Sequence, residues 1–301
     1  MAGYLHPFYA ESLSEFGKPR LLPRSGGWIL ERPISGFPYH DAMGCYPLFA
    51  CQDWSQLYED LKEAKTDLVS LAVVTDPFGN HDTSLLQVCF DKVIAYKDHF
   101  VADLFRPIEQ SVSAHHLRSA RKAFREVKVE KCEQPAQFLG DWANLYVNLT
   151  SRHNIGGISA FSRVAFEMQF RVPGMIAFRA VHQERTVGMI LWYVQRNVGY
   201  YHLGAYSDSG YRTRASFALF RTAFEYFRQN EVQWLNLGAA AGLQTGRDDG
   251  LTRFKRGWST GTRTAYFCGR IFDAEKYQEV VNRTRKAATG YFPLYREGEF
   301  A

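Results

Sequence analysis

The sequence predicts an α/β fold in one large or two moderate domains, and three observations carry that prediction. The chain has 301 residues, more than one small domain needs. Apolar residues make up 46% and aromatics 15%, enough for a large core. From Val127 onward, periodicity gives the order strand, helix, helix, three strands, helix, strand, helical turn, strand.

The first hundred residues are turn-rich and read mainly as strands. Trp28–Arg32 and the apolar run 67–74 are the best candidates. Between them, Trp54, Leu57, Tyr58 and Leu61 have helical spacing, with Asp53 placed to cap the helix. Ser113 to Val127 reads as an amphipathic helix, with Leu117, Ala120, Phe124 and Val127 on one face and Arg118, Lys122 and Arg125 off it.

Val127 to Cys132 alternates as a strand. Helices follow over 134–152 and 159–170, then strands over 175–181, 187–194 and 200–207. The polar turn 182–185 marks a hairpin. Thr213 to Gln229 reads as a helix facing inward with Phe217, Phe220, Phe224 and Phe227. A strand at 232–237 enters a glycine-rich loop, 238–250, and a helical turn spans 251–258. A strand at 262–272 and a helix from Asp273 to Lys286 close the chain.

Composition excludes several classes. The formal charge of +5 is compatible with an anionic partner, but no dense basic block marks a dedicated nucleic-acid binder. Five scattered cysteines form no C-x-x-C pair and read as reduced thiols. No signal peptide and no 18-residue apolar stretch is visible, so a cytoplasmic protein without a membrane span is expected. There is no nucleophile elbow, G-x-G-x-x-G or P-loop. His115 and His116 are adjacent, about 100° apart on a helix, which suits shared metal ligation poorly. No metal is expected.

Three stretches resemble the GNAT acyltransferase superfamily, in its Fem-type branch of peptidoglycan bridge-forming aminoacyl transferases and acetyltransferase-like relatives. They are Leu117-Arg118-Ser119-Ala120-Arg121-Lys122-Ala123 running on to Val127-Lys128-Val129; Leu145-Tyr146 to Ser151-Arg152-His153 with the paired strands around Gly188; and Trp234-Leu235-Asn236-Leu237-Gly238 with Gly250-Leu251-Thr252-Arg253-Phe254-Lys255-Arg256-Gly257-Trp258. The last is similar to the family's strand, glycine loop and G-L-x-x-F-K-x-G-[FW] ending. The resemblance covers about residues 110 to 272 and implies a GNAT-like acyl-CoA N-acyltransferase fold, α/β (α+β), with a mixed central sheet, flanking helices and two lobes, the first degenerate. The expected division is a degenerate lobe over 1–108, an acyltransferase lobe over 109–272 and a C-terminal helix and tail over 273–301.

By this resemblance the chain is an N-acyltransferase that moves an acetyl, acyl or aminoacyl group from acyl-CoA or aminoacyl-tRNA to an amine, such as that of a cell-envelope or polysaccharide precursor. The carrier's anion cradle falls on Gly210, Arg212, Thr213, Arg214 and Ser216, at the start of a helix. This stretch departs from the family's spaced glycines. Either the arginines grip phosphate through their side chains, or the donor is a charged tRNA rather than a coenzyme A thioester. The resemblance places Lys255 at the cleft as the group that meets phosphate or the developing oxyanion. Phe254 and Trp258, four apart, anchor the turn and are expected to aim Lys255 outward. Asp248 or Asp249 takes the amine's proton or caps the helical turn. Arg118, Arg121, Tyr206, Asn236 and Phe254 complete the expected substrate contacts. Alternation puts Tyr200, His202 and Tyr206 on one face of their strand and Tyr201 on the other. A non-catalytic binding module and an RNA-binding protein without transfer activity are the competing readings.

Overall fold

The computed structural model describes residues 1–240, 249–284 and 289–299. Its strands are β1 (Lys18–Leu22), β2 (Gly27–Pro33), β3 (His40–Gly44), β4 (Leu68–Val74), β5 (Lys92–Asp103) and β6 (Lys128–Cys132). They continue with β7 (Met175–His182), β8 (Arg185–Gln195), β9 (Val198–Tyr206), β10 (Trp234–Gly238) and β11 (Gly261–Ile271). The helices are α1 (Pro7–Glu11), α2 (Leu57–Ala64), α3 (Thr83–Cys89), α4 (Ile108–Ser111), α5 (Ala114–Ala123) and α6 (Leu139–His153). After them come α7 (Arg163–Gln169), α8 (Asp208–Arg212), α9 (Ala215–Gln229), α10 (Gly250–Trp258) and α11 (Ala274–Thr284).

Packing groups the chain into two compact units, each discontinuous in sequence. The first holds residues 1–3, 97–155 and 169–263; the second holds 4–96, 156–168 and 264–301. The boundaries fall inside β5 and inside β11.

In the first unit the strand order is β5-β10-β9-β8-β7-β6. β6 to β9 form an antiparallel meander, β10 lies parallel to β9, and β5 lies antiparallel to β10. Two-residue turns join β7 to β8 and β8 to β9, whereas residues 133–174 connect β6 to β7. Gln183 and Glu184 both have positive φ between β7 and β8, and Arg196 does between β8 and β9. The parallel step needs a crossover, which α9 supplies. Its Leu219, Phe220, Phe224 and Phe227 are buried against Phe178, Trp192 and Trp258. Each such side chain contributes about 1.5–3 kcal/mol by leaving water.

The second unit repeats this plan. β1, β2 and β3 are antiparallel, β4 lies parallel to β3 after the crossover helix α2, and β11 lies antiparallel to β4. Its core gathers Ile29, Phe49, Trp54, Leu61 and Leu71. Asp53 caps the short 3-10 turn that leads into α2, accepting from the Ser55 N–H at 2.9 Å.

Some boundaries differ from the sequence expectation. The basic helix ends at Ala123, because Phe124 caps it and the chain turns back through Val127. The helix expected from Thr213 starts at Ala215 as α9, and a separate short helix, α8, precedes it, parted from it at Arg214, which has φ +58°. Only 163–169 of the expected 159–170 helix is α-helical. β1, β3, β5 and α3 lie where periodicity gave no clear element.

Candidate active site

β9 and β10 pair over only three residues, Val198↔Trp234, Gly199↔Leu235 and Tyr200↔Asn236. Beyond Tyr200, β9 runs on to Tyr206, while β10 ends at Gly238. A bulge in β10 against β5 falls between Asn236 and Gly238, and Gly238 takes φ +76°, a conformation that favours glycine. The end of β10 is therefore kinked where its pairing with β9 stops, and Asn236, His99 and Lys255 gather there.

Lys255 lies in this cluster. It is 7% exposed, and Nζ donates to the Ala239 carbonyl at 2.6 Å. This corrects the expectation that it points outward. In α10 the buried residues are Thr252, Lys255 and Trp258, spaced three apart on one helix face, so Lys255 points inward with Trp258. Burial, and then the nearby charge of Lys97, lower its pKa to about 8, against a smaller opposing pull from Asp249. No carboxylate pairs with Lys255 at ion-pair distance among the described residues. The Asp249 carboxylate instead caps α10, accepting from the Thr252 N–H at 2.7 Å, which holds its pKa below the usual range. Asp248 lies outside the described residues.

Asn236 is 2% exposed, and its Oδ1 accepts from the Gly238 N–H at 2.9 Å. The same oxygen lies 3.0 Å from Nδ1 of His99 on β5. His99 is buried, and desolvation, reinforced by the charges of Lys255 and Lys97, lowers its pKa to about 4 despite the Asn236 hydrogen bond. Sequence reasoning named Asn236 and Lys255 and missed His99 and Lys97. The Lys97–His99–Val101 alternation was the available signal, obscured by the exposed residues of β5.

The expected donor stretch lies at the α8–α9 junction. Gly210 is required by packing rather than by a ligand, since a Cβ there would sit 2.1 Å from the Val187 carbonyl oxygen. Its N–H donates to Ser207 Oγ, the cap of α8. Thr213 Oγ1 donates to the Ser209 carbonyl at 2.9 Å. Arg212 and Arg214 are exposed and Ser216 is half-buried. Arg214 makes no side-chain cap, so the start of α9 presents backbone N–H groups and the positive end of its dipole beside two guanidinium groups.

The remaining candidates separate. Arg118 and Arg121 are exposed on α5. Phe254 packs on Phe217 and Phe220, with ring centroids 5.1 and 4.8 Å away, and so helps build the core. Tyr206 is 8% exposed and shares a hydrogen bond with Tyr201. Alternation would part them. A bulge at His202, where Leu191 faces Leu203 but Trp192 faces Tyr201, shifts the phase and brings them together. Both ring nitrogens of His116 are engaged, Nδ1 with Ser113 Oγ at 2.7 Å and Nε2 with the Phe254 carbonyl at 3.0 Å. That ring ties α5 to α10. Two grooves of the unit, about 430 Å3 beside Leu104 and Arg228 and about 670 Å3 beside Lys128 and Gln183, contain none of these residues.

Comparison with known proteins places these features. No curated protein matches the chain in sequence. Residues 112–256 match the model of the acetyltransferase (GNAT) domain. Among solved structures, the crystal structure of FemX is similar with a TM-score of 0.67 at 14% identity, covering 90% of this chain and 92% of that one. The C-terminal domain of a putative lysylphosphatidylglycerol synthetase from Agrobacterium fabrum has a TM-score of 0.62 at 14% identity, covering 91% and 90%. L-PGS from Bacillus licheniformis has a TM-score of 0.58 at 15% identity, covering 90% and 93%. Among the described residues no helix is long and apolar enough to cross a membrane. Residues 112–256 are thus similar to the acetyltransferase (GNAT) domain, and the chain has the fold of FemX and of the lysylphosphatidylglycerol synthetase domain.

Proposed function

We propose that the chain is an N-acyltransferase that moves an acyl or aminoacyl group from a coenzyme A or tRNA carrier to the amine of a cell-envelope or polysaccharide precursor. The observation that carries the reading is Lys255, a buried ammonium without a described carboxylate partner, placed where β9 and β10 part. A buried cation of this kind costs stability on its own account. It favours a ligand that brings negative charge, as a phosphate does on binding or a carbonyl oxygen does on becoming an oxyanion.

In this reading Arg212, Arg214 and the first N–H groups of α9 hold the carrier's phosphates, and Ser216 and Thr213 line the same turn. Asn236 and the Gly238–Ala239 backbone shape the site around Lys255, with the Ala239 carbonyl fixing Nζ. Arg118 and Arg121 extend the positive surface toward an anionic acceptor. The similarity to FemX and to lysylphosphatidylglycerol synthetase domains supports an aminoacyl-tRNA carrier, and the match to the acetyltransferase domain supports acyl-CoA. An assay with each carrier and a panel of amine acceptors, read by product mass, tests the proposal. Transfer from one carrier class that Lys255→Met abolishes is the expected result, and no transfer from either class would defeat it.

A further inference from the structure

His99 stands out because its hydrogen bonding settles its chemistry. The Gly238 backbone N–H can only donate, so the Asn236 side-chain atom it meets at 2.9 Å is the amide oxygen. That oxygen can only accept, so the His99 nitrogen 3.0 Å away, Nδ1, carries the ring proton. In the neutral ring Nε2 is then a bare lone pair. It has no hydrogen-bond partner among the described residues. A buried polar atom is normally paired, so an unpaired acceptor in a ring that is 7% exposed calls for a ligand that donates. The neighbouring cations Lys255 and Lys97 favour the neutral ring, whose Nε2 is an acceptor.

The geometry points to His99 as the group that receives the acceptor's amine: Nε2 accepts an N–H of a neutral primary amine and turns the nitrogen lone pair toward the acyl carbon. This rests on the acyltransferase reading of the same site. As the new C–N bond forms, one amine proton passes to Nε2, giving an imidazolium. The bond from the acyl carbon to the carrier's sulfur or oxygen breaks, its electron pair leaves on the carrier, and the carrier takes the proton from the imidazolium. Atoms and charge balance without a further reactant. Asn236 is the positioning residue, because its oxygen holds the tautomer that leaves Nε2 open.

The test uses the intact chain with 15N-labelled histidine rings and hydroxylamine as probe, an amine that is uncharged near neutral pH. The expected result is an unprotonated Nε2 whose resonance moves saturably with hydroxylamine. His99→Asn keeps a donor for Asn236 but has no atom in place of Nε2. It should lose the saturable response, lower kcat by about 10²–10⁴-fold, and leave carrier affinity and melting temperature near those of the wild type. A proton found on Nε2, an Nε2 resonance that ignores hydroxylamine, or wild-type kcat in His99→Asn would each overturn the assignment. Failure of the wild type to bind any carrier would remove the transferase reading instead, and the ring's tautomer and amine response would still decide whether His99 is an amine site.

Discussion

The two units share one strand plan and use their buried polar groups in opposite ways. In the second unit Asp41, fully buried on β3, accepts from Arg32 and from Arg296, and both arginines also reach Glu299. Arg296 adds a bond to the Pro33 carbonyl at 2.7 Å, and Tyr295 shares one with Ser70 at 2.8 Å. Every charge there is answered by another, and the network ties 295–299 to β2, β3 and β4. In the first unit the buried charge at the end of β10 is positive, and a carbonyl is its described hydrogen-bond partner. The crossover helices differ in the same sense. α2 is entered through the acidic cap Asp53, whereas α9 starts just after the exposed Arg212 and Arg214. The second unit closes this buried cluster on itself, whereas among the described residues Lys255 of the first unit has no carboxylate partner.

Breaking the closed cluster should give the largest stability loss. Asp41→Ala leaves the buried Arg32 and the half-buried Arg296 with Glu299 as their remaining carboxylate and should cost about 3–5 kcal/mol, read by denaturant unfolding, with little effect on carrier affinity. The open cluster should respond the other way. Lys255→Met should cut transfer by about 10²–10³-fold, yet raise the melting temperature at neutral pH, because it removes a buried charge. The sign with pH follows from the lowered pKa. Between pH 8 and 10.5 the unfolded chain holds the Lys255 proton and the folded chain has released it, so wild-type stability rises through that window. The full change is on the order of 3 kcal/mol, and the advantage of Lys255→Met should fade over the same range in melts taken from pH 7 to 11. A flat difference would mean that Lys255 is not the group that titrates.

Smaller effects sharpen the donor site. Gly210→Ala must push a methyl against the Val187 carbonyl and should cost about 1–3 kcal/mol by displacing α8 from β8. Arg214→Gly separates backbone from side chain. Glycine relieves the φ of +58° and should stabilise by up to about 1 kcal/mol, while carrier affinity falls if the guanidinium grips phosphate. Unchanged affinity would leave the backbone at the start of α9 as the whole cradle.

Much of the first unit could be read from the sequence because its elements are strongly periodic. Phe220, Phe224 and Phe227 announce α9, and Trp234 to Gly238 with the 250–258 turn mark the end of the unit. What escaped was phase and pairing. The bulge at His202 reverses the faces of the tyrosines on β9, and nothing in a period of two signals it. Lys255 was named, but its direction depends on the Thr252–Lys255–Trp258 face rather than on Phe254 and Trp258 alone. His99 was missed because its 12-residue strand mixes exposed and buried positions and shows no clean alternation. Its partner Asn236 lies 137 residues away, a pairing that only the fold reveals.

The most direct test of the transferase reading is thermal melting of the wild type and Lys255→Met with acetyl-CoA, longer acyl-CoAs and charged tRNA. A carrier at a hundred times its Kd should stabilise the wild type by about 2.7 kcal/mol, a rise of a few degrees that Lys255→Met largely loses. Equal shifts in both proteins, or none with any carrier, would contradict a carrier site built around Lys255.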